Sequence, residues 1–168
     1  MTSKSLLIAA AAAALAAPAW FAIAQHQHDP ASHSRSGAGS QYAPAADRRV
    51  PVAFPPELRE HTLANMRDHL LALQEIQETL AKGKFDQASE IAEQRLGMSS
   101  LTTHSAHEVA KYMPKGMQDA GTAMHRSASR LSVAALDGAV TNDVRPALSA
   151  LAEVTANCVA CHAGYRLQ

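Results

Sequence analysis

Four long stretches of this chain repeat an apolar residue every three or four positions, a period that leaves helices as the only building blocks. Leu63, Met66, Leu70, Leu73, Ile76 and Leu80 form the first stripe. Pro55-Pro56-Glu57 opens that helix, with proline at a first helical position and an acid in the first turn, and Lys82-Gly83 closes it. A second helix is expected from Asp86 to Leu96, with Ala88, Ile91, Ala92 and Leu96 inward and Gly97 as its stop. Another turn or two of helix belongs between Ser100 and Tyr112. After the break at Pro114 and Gly116, Met117, Gly121, Met124, Ala128, Leu131 and Ala135 predict a third long helix up to Asp137-Gly138. The last opens near Thr141-Asn142-Asp143, tolerates Pro146 in its first turn, and aligns Val144, Leu148, Leu151, Val154 and Cys158.

Composition agrees. Aromatic residues make up 4% of the 168, β-branched runs are short, and no repeat suggests a solenoid. One all-α domain over 56–168 follows, with modest loops that predict an antiparallel four-helix bundle.

Upstream the chain changes character twice. Residues 1–24 read as a cleavable signal peptide: Lys4 is the only charge, an Ala- and Leu-rich run follows, and Ala22-Ile23-Ala24 fits a small-x-small cleavage site. Trp20, Phe21 and Ile23 lengthen the apolar run toward an uncleaved anchor, but Pro18 interrupts it, so no stable membrane anchor is expected after cleavage. Residues 25–55 are rich in His, Ser, Gly, Pro and Ala without aliphatic period, the composition of a flexible linker. His26, His28 and His33 there are expected to be solvated rather than a metal site of fixed geometry. The mature chain holds 14 basic against 15 acidic residues, which offers no electrostatic reason for a nucleic-acid partner.

The chemistry concentrates at Cys158-Val159-Ala160-Cys161-His162. A CxxCH sequence reads as the attachment site of one covalent haem c. Thiols three positions apart on a helix face the same side, where they add to the two haem vinyl groups, and the adjacent imidazole reaches the iron as proximal ligand. Three other readings compete. A disulfide between Cys158 and Cys161 closes too short a ring to gain much. A thioredoxin-like pair belongs at the start of a helix near a βαβ unit. A zinc site needs a second pair of ligands at defined spacing.

Cys158 to Arg166 reads CVACHAGYR, and a CxxCHxxYR ending on the last helix of a four-helix bundle is similar to the class II cytochromes c. The resemblance spans roughly 56–168, specific at this motif and elsewhere limited to helix lengths and apolar spacing. It implies Cys158 and Cys161 as thioether anchors, His162 as axial ligand, and Tyr165 and Arg166 beside the haem. It also implies a periplasmic address and, in many members, a homodimer, and an electron carrier of this kind is expected to meet redox partner proteins. The family has two branches: high-spin, gas-binding cytochromes c′ with five-coordinate iron, and low-spin relatives whose sixth ligand is a Met of the first helix.

Met66 is the candidate for that sixth ligand, on the first helix's apolar stripe, although Met on such a stripe also serves as core filler. His61 and His69 are alternatives expected to be exposed and solvated. Met98, His104, His107, Met113, Met117 and Met124 are weaker ones. Arg166 also suits the negative end of the helix dipole, and Tyr165 ordinary amphipathic packing. Arg126 and Arg130 suit haem propionates or plain surface charge. The expectation is an electron carrier, not an enzyme, with a gas-binding cytochrome c′-like protein as the alternative.

Overall fold

The computed structural model describes residues 46–168, which form one unit from Ala46 to Gln168. The expected signal peptide, and the linker as far as residue 45, lie outside the described residues.

The fold is mostly helical. Strand β1 (Val50–Val52) leads into helix α1 (Pro56–Ala81), followed by α2 (Phe85–Ile91). Helix α2 runs on into a π-helical segment, Ala92–Leu96, and a 3₁₀ turn, Met98–Leu101. Helices α3 (Ala106–Ala110), α4 (Lys115–Thr141) and α5 (Arg145–Gly164) come next, and strand β2 (Tyr165–Leu167) ends the order. Among the described residues no helix is long and apolar enough to cross a membrane.

The signals read from the sequence govern the helix ends. Pro55 and Pro56 open α1, where the missing N–H is not needed. At its C-terminus the Gly83 N–H donates to the Leu80 carbonyl and the Lys84 N–H to the Thr79 carbonyl, with Gly83 at φ +68°, the left-handed conformation that closes a Schellman motif. The third long helix continues past Gly138 to Thr141, because Gly138 is buried and its bare Cα lets the Phe85 ring lie against it.

Close backbone packing runs from α1 to α2, from α2 and its π segment to α4, and from α4 to α5. No comparable contact joins α1 to α5. The main core is made of Ile76, Leu80, Phe85, Leu96, Met124, Leu131, Leu151 and Val154 with small alanines between them, and Leu73 and Cys158 pack at its margin. A second, smaller cluster holds Val52, Phe54 and Val109, with Leu58, Met113, Met117, Tyr165 and Leu167 against it.

Three expectations change here. The buried line of α1 is Thr62, His69, Ala72, Ile76 and Leu80, while Leu70 is 68% exposed. On the adjacent side of α1 Asp68 and Glu75 are taken by Arg95 of the π-helical segment, hydrogen-bonded and ion-paired to both. With those acids facing the segment, His69 points inward and Leu70 outward. On α5, likewise, Ala147, Leu151 and Val154 are buried but Leu148 is 47% exposed. The ordered chain also starts upstream of residue 56, because β1 pairs in parallel with β2, Val50 opposite Tyr165 and Val52 opposite Leu167, and Val52 and Phe54 are buried.

Candidate functional site

Helix α5 delivers Cys158 and Cys161 in its last two turns. Both thiols are free and partly buried. Burial pushes both thiol pKa values up, which keeps them protonated at neutral pH. That is the reverse of a thioredoxin-type pair, whose attacking sulfur needs a lowered pKa. Cys158 packs against the main core, whereas His162 is exposed and does not extend the inward stripe. Its direction round the helix is close to that of Leu151, but it stands in the last turn of α5, which ends at Gly164.

The surroundings follow from which sides of the helices are already taken. Arg95 marks the side of α1 that meets α2, through Asp68 and Glu75. Met66 and Leu70 are each two residues from Asp68, and Leu73 two from Glu75, so all three sit about 200° round the helix from that contact. On α5 the side facing α4 is marked by Glu153, ion-paired to Arg130 at 3.0 Å, and by Asn157, whose amide donates to Ser127 Oγ at 3.3 Å. His162, Leu148 and Val159 lie about 140–200° away from those contacts. Both helices therefore turn apolar residues to the one edge of the array that no close backbone packing seals. Leu70 is 68%, Val159 62% and Leu148 47% exposed, and Met66 is half-buried among them.

Depth along the array matches as well. Ser127 on α4 touches Asn157, and His125, two residues earlier, lies 6.0 Å from His69 between ring centres. Asn157 and His69 thus occupy one layer, and Met66 lies about 4.5 Å along α1 from His69. Met66 on α1 and His162 on α5 thus stand at a similar depth, both turned toward the unsealed edge, while Cys158 packs against the main core and Cys161 follows Asn157 by one turn. Concavities of about 420 Å³ beside Gly83–Gln87 and about 500 Å³ beside Leu101–Glu108 touch none of these residues.

Tyr165 and Arg166 are placed differently from the expectation. Helix α5 stops at Gly164, so both belong to β2 and not to a last helical turn. Tyr165 packs in the second cluster, its hydroxyl directly over Gly116 at the start of α4. Arg166 points the other way by strand alternation, and its Nε lies 3.4 Å from Asp47 Oδ2 without the alignment of a hydrogen bond. The strand pairing replaces the helix dipole as the local reason for this arginine.

Of the other candidates, Met124 is core and Met117 belongs to the second cluster. Arg130 is an exposed ion-pair partner of Glu153. His61 is partly buried, and its Nε2 accepts from the Asn65 Nδ2 amide at 3.2 Å. His69, expected at the surface, is 6% exposed. It meets His104 and His125 in the interior, an association invisible in sequence because the three stand on separate elements. Comparison of the chain with protein-family models, curated proteins and solved structures finds no match.

Proposed function

We propose that this chain is an exported c-type cytochrome that works in one-electron transfer, a four-helix bundle with one haem c on its last helix. The reading rests above all on the CxxCH sequence, two free and half-buried thiols on one helix face followed directly by an exposed imidazole. The groups present suit a porphyrin. The apolar sides of α1 and α5 border an unsealed edge, and a flat hydrophobic ring is what would cover Met66, Leu70, Leu148 and Val159 there.

When bound, such a haem supplies an iron that cycles between ferric and ferrous states. Cys158 and Cys161 would each form a thioether, the S–H adding across one vinyl C=C so that no oxidant is needed. His162 would give its ring nitrogen as proximal ligand. Met66 would give its thioether sulfur from α1 across the edge, blocking external ligands and raising the potential. Leu63, Leu70 and Leu73 would keep water from the ring face. Export, a periplasmic address, redox partner proteins and a homodimer belong to the same proposal, the homodimer resting on the class II resemblance alone.

The test is the mass and spectrum of protein matured through its own export route. A polypeptide heavier by one haem is expected, with a low-spin spectrum that carbon monoxide leaves unchanged. The bare polypeptide mass would overturn the haem reading. Immediate formation of a carbon monoxide adduct would instead support the gas-binding alternative and remove Met66 as ligand. Met66→Ala is expected to convert the spectrum to the carbon monoxide-reactive form while leaving the haem attached.

A further inference from the structure

Apart from the CxxCH segment, the interior holds three imidazoles from three elements: His69 on α1, His104 ahead of α3 and His125 on α4. They are 6%, 8% and 9% exposed. Their ring centres are 4.8 Å (His69–His104), 5.6 Å (His104–His125) and 6.0 Å (His69–His125) apart. Burying three such rings together is costly unless their nitrogens find partners.

The hydrogen bonds assign the protons. His125 Nδ1 lies 2.7 Å from the carbonyl oxygen of Leu96, which only accepts, so Nδ1 carries the hydrogen and Nε2 a lone pair. Ser100 Oγ–H donates to the Gly97 carbonyl at 2.7 Å, which leaves its oxygen to accept from His104 Nδ1 at 3.3 Å. His104 Nε2 then also bears a lone pair. The hydrogen bonds of His104 and His125 all run through Nδ1, and of the three rings it is His69 whose Nε2 is fully buried without a partner. An N–H held by a carbonyl or hydroxyl, with the opposite nitrogen free, is how proteins orient histidines that bind metals. Burial holds all three rings in the neutral form such ligands require.

We propose that His69, His104 and His125 form a buried site for a borderline divalent transition-metal ion of the Zn²⁺ or Cu²⁺ kind, bound through three imidazole nitrogens. The dimensions agree. With metal–nitrogen bonds of about 2.0–2.1 Å, each ring centre lies about 3.2 Å from the ion, and tetrahedral angles separate the centres by about 5.2 Å. In the rotamers present no three donor atoms converge on one point among the described residues. Turning an imidazole about its Cβ–Cγ bond re-aims its nitrogens while its centre stays in place, and this torsion has a broad, shallow profile. His125 is pinned by Leu96, whereas no hydrogen bond holds the His69 ring, so His69 is the ligand free to turn. A fourth position remains for water. The proposal does not depend on the haem, although His69 lies only about 60° round α1 from Met66 and so borders the edge proposed for the ring.

The test uses the mature chain in which His26, His28 and His33 are replaced by Gln, so that the upstream imidazoles cannot contribute. Equilibrium dialysis against Zn²⁺ is expected to give one ion per chain, and Zn K-edge absorption a nitrogen- and oxygen-only shell with three imidazoles. His69→Gln breaks no hydrogen bond and is expected to weaken Zn²⁺ binding at least 30-fold with helicity and metal-free melting unchanged. His125→Gln, which also frees the Leu96 carbonyl, should weaken binding and lower the melting temperature. Substoichiometric Zn²⁺, sulfur in the shell, or unchanged affinity in folded His69→Gln would each overturn the site.

Discussion

On the side of α1 that meets α2, the protein supplies every partner itself: Arg95 spans Asp68 and Glu75, and its Nη2 also donates to the Asp68 backbone carbonyl at 3.2 Å. On the opposite side, toward the unsealed edge, Leu70 is exposed and Met66 half-buried, and α5 turns Leu148, Val159 and His162 the same way. One helix thus carries a contact completed within the chain and an apolar strip that is not. A charged clamp costs desolvation that its own partners offset. An exposed apolar strip stays unfavourable until something covers it. The difference teaches that protein packing stops at this edge, and that the haem proposed on the two thiols of α5 is a means of covering it.

Breaking the covered side is expected to have the largest effect. With Cys158→Ala and Cys161→Ala together, covalent haem should vanish altogether, read as loss of the added mass and of haem staining on a denaturing gel. Retention of bound haem after denaturation would show that the edge is not closed by thioether chemistry.

Breaking the self-sufficient core comes next. Ile76 is fully buried, and Ile76→Ala should lower the unfolding free energy by about 2–5 kcal/mol in urea titrations, with or without haem. Loss confined to the haem-bearing form would mean that the core, too, depends on the cofactor.

Acid should act on the histidine cluster between the two regions. Burial depresses the His69 pKa from 6.5 to about 4, helped by His104 and His125 and opposed by Asp68, with Arg95 and His61 also facing the group. The folded state therefore binds fewer protons than the unfolded one in this window. Stability is complete above pH 6.5 and falls as pH drops toward 4, by about 1.4 kcal/mol for each unit of pKa separation. Urea titrations at pH 7.5 and 4.5 with a chelator present should show this drop, and His69→Leu should reduce it.

The smallest effect sharpens the comparison most. Leu70 is 68% exposed, so Leu70→Gln should change the stability of the haem-free chain by less than about 0.5 kcal/mol. In the haem-bearing protein the same substitution should cost about 1 kcal/mol or more, because the side chain is then removed from water. Equal effects in the two forms would place the ring elsewhere.

Helix content and the main helix limits were legible in the sequence because they depend on local signals: apolar spacing, the Pro55-Pro56 start and the Gly83 stop. The CxxCH motif on which the haem proposal rests was legible for the same reason, since five adjacent residues carry it. Less readable were the faces. Leu70 and Leu148 fit a periodic stripe as well as their buried neighbours do, and the rotation is decided by long-range packing of Ile76, Leu151 and Val154 together with the contacts of Arg95, Arg130 and Ser127. Tyr165 and Arg166 followed a helical pattern until the pairing with Val50–Val52 claimed their backbone, a partner more than a hundred residues away.

By itself, then, the sequence determined which segments become helices and where two thiols and an imidazole stand together, because nearest neighbours decide both. Tertiary structure alone decided that α1 and α5 leave an edge between them and that His69, His104 and His125 share one buried space. Those outcomes depend on how helices rotate and cross, which is set by ion pairs and packing between residues that the chain's order keeps far apart.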